Sequence, residues 1–124
     1  MRQVLILEDF PPPHVARILS PNGRAYWAKR YNAGAVVAWF VKRAVTEQGL
    51  HRFVHPTCRL VYVYPNHRRR DLDNATGGVT KAVLDTLVRL GVLRDDSPEW
   101  LTLLPVCLEV TPGVRRLVIE LEEE

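Results

Sequence analysis

Residues 59–91 read RLVYVYPNHRRRDLDNATGGVTKAVLDTLVRLG, and this stretch decides the fold. After Arg59 its next five residues are β-branched, aromatic and aliphatic, and Pro65 closes them, which predicts a strand over 59–64. Further on, Val79, Val83, Leu87 and Leu90 recur at three and four, the period of a helix that buries one face. That predicts a helix over 79–90, with Gly91 as its stop. Residues 66–73 between them are polar and strongly basic, a loop or strand extension. A buried strand thus hands the chain through a charged loop to an amphipathic helix.

Outward from this unit, residues 2–7 predict a first strand, ended by Pro11, Pro12 and Pro13, which stiffen a loop. The cluster Ser20, Pro21, Asn22 and Gly23 predicts a turn. A long helix is expected over 24–48, with Trp27, Tyr31, Ala35, Ala38, Val41 and Val45 as its apolar stripe and Gly49 as its end. Trp27 reads as core on that spacing, with Trp39 open between core and interface. Beyond the central unit, residues 92–98 form an acidic loop. Residues 101–110 and 114–121 then predict two strands joined in a hairpin through Thr111, Pro112 and Gly113. The order is β-α-β-α-β-β. The expectation is one α+β domain over 1–124, a small mixed or antiparallel sheet with two helices packed on it.

The 124-residue chain is 47% hydrophobic and 25% charged, as an ordinary globular domain is. No run approaches the roughly 20 apolar residues of a membrane-spanning helix. The first residues carry no cleavage-site pattern, so a cytoplasmic, membrane-free protein is expected. Cys58 and Cys107 have neither CxxC spacing nor a histidine partner pattern, and read as free thiols. The net charge of +3 hides an asymmetry: residues 1–70 carry +9 and residues 71–124 carry −6. The basic half points to a polyanionic partner.

The acids are the second signal. In an extended segment Asp71 and Asp73 fall on one side, with Leu72 between them turned the other way. Two converging carboxylates repel unless a cation sits between them, and Mg²⁺ is commonly held by one or two carboxylates together with a phosphate oxygen. Arg68, Arg69 and Arg70 stand beside them, where guanidinium groups grip phosphate oxygens. Asp95 and Asp96 follow the second helix and reach the first pair only if the chain turns back. Taken singly these features are ordinary: a D-x-D pair shapes loops, Asp85 can pair with Arg89 at i, i+4, and a run of arginines is usually solvated. No GxxxxGK loop, HExxH or GxSxG is present, and the kinase order around Arg-Asp-Leu is not met.

The stretch RRRDLDNATGGVTKAVLDTLVRLGVLRDDS, from Arg68 to Ser97, resembles the RusA family of Holliday junction resolvases. Asp71, Asp73 and Asn74 match the family's D-x-D-N. Lys81 matches its lysine, Asp85 its helix aspartate, and Asp95 and Asp96 its closing acid pair. The resemblance implies a homodimeric endodeoxyribonuclease that uses Mg²⁺, with Mn²⁺ substituting, to cut four-way DNA junctions by paired nicks. It implies that Asp71, Asp73 and Asp96 bind metal and catalyse, with Lys81 as accessory cation. Arg68, Arg69 and Arg70 would bind DNA, and Asn74, Asp85 and Asp95 would support the site. The chain departs from the family in two places. About four extra residues precede Lys81, and looping at Gly77 and Gly78 would keep that lysine on the first helical turn. The strand after Asp95 and Asp96 lacks the lysine often found there. Two other readings compete: a module that binds branched DNA without cutting it, and a Mg²⁺-dependent nucleotide hydrolase.

Overall fold

The computed structural model describes residues 1–20, 26–49, 51–68 and 77–124. In chain order its elements are β1 (Arg2–Glu8), α1 (Pro13–Leu19), α2 (Trp27–Gln48), β2 (Thr57–Tyr64), α3 (Gly78–Arg89), β3 (Thr102–Leu103), β4 (Cys107–Val110) and β5 (Arg116–Glu122). This is a small α+β domain which, among the described residues, has three helices on one mixed five-stranded sheet.

β5 lies between β1 and β2 and is antiparallel to both. β3 and β4 run parallel to β2 along its other side. Alternation decides which side each strand buries: Leu5 and Leu7 of β1, Leu60 and Tyr62 of β2, and Leu117, Ile119 and Leu121 of β5 all turn to the helices and are almost fully buried. Val37 and Val41 of α2 and Val79, Val83 and Leu87 of α3 meet them there in one core. Burying an aliphatic side chain of this size is worth about 1.5–3 kcal/mol, so this layer carries most of the stability.

One edge of the sheet is closed by a side chain. Gln48, the last residue of α2, accepts from the Ile6 N–H at 2.9 Å through Oε1 and donates to the Ile6 carbonyl at 2.8 Å through Nε2. Gln3 of β1 adds two contacts to the same corner, donating to the Gly49 carbonyl at 2.5 Å and accepting from the His51 N–H at 3.2 Å.

Four sequence expectations change. First, the described residues hold three helices rather than the two expected. Pro13 occupies the first turn of α1, where its missing N–H costs nothing and its fixed φ favours the helix, so the proline run opens a helix as well as ending β1. Second, the strand expected over 101–110 is two short strands, with Pro105 in the break, because proline cannot donate to a ladder. Third, the turn at Thr111 is real, with the Val114 N–H on the Thr111 carbonyl at 3.0 Å and Gly113 at φ 76°. Yet β4 and β5 do not pair with each other; they flank β2 on opposite sides. A tight turn fixes a local reversal but not the neighbour, and β5, apolar at Leu117, Ile119 and Leu121, gains two partners in the middle of the sheet.

Fourth, Trp27 is not core: it is 81% exposed, and Tyr31 is 73% exposed. The buried line of α2 is Ala33, Val37, Val41, Ala44 and Val45. At 100° per residue the line through Trp27, Tyr31 and Ala35 lies about 90° round the helix from it, and the two merge only at Val41 and Val45. Trp39 is half exposed, edge-on to Phe40 at 5.1 Å with the Arg43 guanidinium 5.3 Å from its ring.

Candidate functional site

α3 runs back along β2, and its two ends carry the described members of the predicted site. Its first turn packs against the far end of β2, where the buried Tyr62 hydroxyl meets the Thr80 hydroxyl at 2.9 Å. Burial pushes the Tyr62 phenol pKa up, so the ring stays neutral. Gly78 opens the helix against α1: a Cβ there would collide with the Leu19 carbonyl. The C-terminal carbonyls of α1 are gripped in turn by Arg30 of α2, whose guanidinium donates to Ile18 at 2.8 Å, Ser20 at 3.3 Å and Leu19 at 3.4 Å. The starts of α2 and α3 are therefore locked together at one end of the domain.

Lys81 stands on that first turn, exposed, with its ammonium 3.6 Å from the Asp85 carboxylate. Asp85 thus pairs back towards Lys81, not forward to Arg89. Both partners are well exposed, so the pair is worth at most a few tenths of a kcal/mol. Arg68, beyond the end of β2, is exposed, with its N–H on the Asn66 Oδ1 at 3.0 Å. Nearby, Arg115 lies over the Tyr64 ring at 5.4 Å. Arg69, Arg70, Asp71, Asp73 and Asn74 lie outside the described residues.

The other end of α3 is closed differently. The Leu90 N–H still bonds Thr86 at 2.9 Å; Gly91 then takes φ 79°, and the Leu87 carbonyl accepts from Val92 at 3.0 Å and Leu93 at 3.3 Å. That left-handed residue turns the chain to the start of β2, where the Phe53 N–H bonds the Val92 carbonyl at 2.9 Å. Next come Asp95 and Asp96, joined by the Asp96 N–H on Asp95 Oδ1 at 2.9 Å, with Asp96 exposed. The loop is held through Trp100, whose ring has the Arg94 guanidinium 4.1 Å from its centroid and His55 stacked on it at 4.8 Å and 21°. The backbone N–H groups of Val54 and His55 both donate to the Glu123 carboxylate.

Lys81 and Asp96 therefore stand at opposite ends of α3. The helix alone separates Lys81 from Arg89 by about 12 Å along its axis, and Asp96 lies past that. Among the described residues, no three His, Cys, Asp or Glu side chains converge as metal ligands. The donors at the Asp96 end are hard carboxylate oxygens, the kind Mg²⁺ takes.

The sequence reading missed the packing of Arg94 and His55 on Trp100. His55 and Trp100 are 45 positions apart, and nothing in either neighbourhood marks them as partners. It also missed Arg30, whose carbonyl grip becomes visible only once α1 is known to be a helix. No protein-family model matches the chain, and no curated protein matches it.

Proposed function

We propose that the chain is a Mg²⁺-dependent, structure-selective endodeoxyribonuclease of the RusA type, acting as a homodimer on four-way or otherwise branched DNA. The observation that carries the reading is the order of charged residues around α3. Arg68 to Arg70 and the pair Asp71 and Asp73 immediately precede it, Lys81 is exposed on its first turn, and Asp96 is exposed past its end. The basic run delivers a phosphate backbone to the carboxylates, a sequence-blind contact that weakens steeply with salt.

In this reading Asp71, Asp73 and Asp96 hold the cation, and Asn74, Asp85 and Asp95 orient their neighbours. A divalent ion held there supplies a more acidic water and neutralises charge on the leaving oxygen. Lys81, released from Asp85, neutralises negative charge gathering on the phosphate. The separation of Lys81 from Asp96 gives the dimer a chemical purpose. Two copies in opposite directions bring the Asp96 end of one towards the Lys81 end of the other, and two sites related by a two-fold axis suit two opposed nicks.

The test is a labelled synthetic four-way junction beside linear duplex and free nucleotides, with Mg²⁺ or EDTA. Paired Mg²⁺-dependent nicks on the junction alone are expected. Asp73→Asn and Asp96→Asn should each lower cleavage at least 100-fold, on the order of what one lost transition-state contact costs, while junction binding persists. Mixing the two variants should restore single nicks, because one site of each mixed dimer then has every acid. Binding without cleavage under any metal would make the chain a branched-DNA-binding module, and nucleotide hydrolysis alone would make it a nucleotide hydrolase.

A further inference from the structure

Three aromatic side chains stand in water at the start of α2. Tyr26, Trp27 and Tyr31 are 80%, 81% and 73% exposed. Among the described residues none of these rings packs on another ring or under a cation, whereas Trp39, farther along the same helix, has both Phe40 and Arg43. At 100° per residue Trp27 and Tyr31 lie about 40° apart round the helix and about 6 Å apart along it, so they face the same way. Tryptophan and tyrosine carry large apolar faces, and a group of them left uncovered marks a binding surface.

Tyr31 also borders a groove of about 330 Å³ between the two long helices. Gly34 and Ala38 of α2 line it with Ala82, Asp85 and Arg89 of α3. A Cβ at Gly34 would meet nothing within 4 Å, so the groove is open there. Asp85 links it to Lys81, 3.6 Å away. The surrounding charge has one sign. Residues 10–46 contain no aspartate or glutamate and carry Arg17, Arg24, Lys29, Arg30, Lys42 and Arg43. Lys29, Lys42 and Arg43 are exposed on α2, and Lys81 and Arg89 on α3. Asp85 is the one acid of α3, and it is paired with Lys81.

We infer that Trp27, Tyr31 and the groove beside them form a stacking site for unpaired bases of a single nucleic-acid strand, with the cations of α2 and α3 on its phosphates. Every base has a flat face that an aromatic ring can cover, and aromatic rings set in a basic surface are how sequence-tolerant single-strand binding is built. In a duplex each base is already covered by neighbours about 3.4 Å away, so only an unpaired base offers a face. Rings about 6 Å apart along α2 suit bases drawn apart rather than stacked on each other. An acidic peptide would answer the cations but brings no flat faces to the rings. The inference goes beyond the proposed function: it needs neither metal nor cleavage, and shares with that reading only nucleic acid as the partner.

The test uses the full chain in EDTA with a labelled oligodeoxythymidylate, an abasic strand with the same number of phosphates, and a duplex of equal length. The thymidylate strand should bind at least about fivefold tighter than the abasic one and quench tryptophan fluorescence. Trp27→Ala should remove that quenching and weaken thymidylate binding at least about fivefold, and Tyr31→Ala should weaken it similarly. Trp27→Phe should recover most of the binding. Neither alanine variant should change binding of the abasic strand or the duplex. Trp39→Ala, about 120° round the helix from Trp27, should leave thymidylate binding alone. Trp27 and Tyr31 are exposed, so the variants should fold, which circular dichroism checks. Equal binding of the thymidylate and abasic strands overturns the inference. So do indifference to Trp27→Ala, a polyglutamate peptide that competes as well as the thymidylate, and a dimer that Trp27→Ala dissociates. Thymidylate bound through Trp27 by a protein that cuts no junction keeps this site and removes the nuclease. Junction cleavage by a protein that binds both strands equally does the reverse.

Discussion

The two ends of α3 are built on different principles. At the Lys81 end, backbone meets backbone: Gly78 lies against the Leu19 carbonyl, and Arg30 ties down the last carbonyls of α1. No side chain caps the helix there. At the Asp96 end the helix closes through its own carbonyls and Gly91, and side chains packed on the Trp100 ring hold the loop. One end tolerates almost no change in volume, while the other depends on flat groups that can be trimmed one at a time. A lysine on a tightly packed turn and an acid on a stacked loop can both be positioned precisely, but by different means and at different risk to the fold.

The sharpest way to break this contrast is Gly78→Val. Its side chain has nowhere to go without moving the Leu19 carbonyl, so a loss of more than about 3 kcal/mol, or failure to fold, is expected in thermal denaturation. A variant with unchanged stability would mean that the Lys81 end is not closely packed.

Alkaline pH probes the strand beneath the helix. Burial pushes the Cys58 thiol up to about 12 from its ordinary 9.0. The unfolded chain then binds fewer protons above pH 9, so stability from the neutral thiol is whole below pH 9 and falls between 9 and 12, by about 1.4 kcal/mol per unit. Denaturant midpoints at pH 8 and 10.5 should show a loss of about 2 kcal/mol that Cys58→Val lacks. Equal losses in both proteins would assign the alkaline sensitivity elsewhere.

At the opposite end, Trp100→Ala removes the ring that Arg94 and His55 both pack against. It should cost about 1–2 kcal/mol and raise amide exchange over residues 94–100 while leaving the Lys81 end protected. Exchange rising equally at both ends would make the two ends one cooperative unit. The smallest effect is expected from Asp85→Asn. Its exposed pair with Lys81 is worth less than about 0.5 kcal/mol, so melting should hardly move, whereas under the proposed function junction cleavage should fall, because Asp85 then sets where Lys81 points.

What the sequence revealed follows from how local each signal is. The central strand and α3 were legible because alternation and helical spacing are written within a dozen residues, and Lys81 was placed on the first turn by counting from the glycine pair. Trp27 was misread because aromatic residues at helical spacing look alike whether they face core or water; only a sheet on one side tells them apart. The expected hairpin failed for a related reason. Thr111 to Gly113 specify a turn, but the choice of β2 as neighbour to both β4 and β5 depends on strands up to a hundred residues away. Of the candidate site, the sequence disclosed the acids, their order and a helix between Lys81 and Asp96, but not the path of the chain after that helix, because that path depends on tertiary packing and not on local spacing.

Gln48 has a consequence for how the molecule behaves among its own kind. By presenting one amide to the Ile6 N–H and carbonyl together, it imitates a single residue of a neighbouring strand and ends the ladder there. A foreign strand approaching β1 must first evict it, so the sheet resists lengthening on that side into ribbons or fibres.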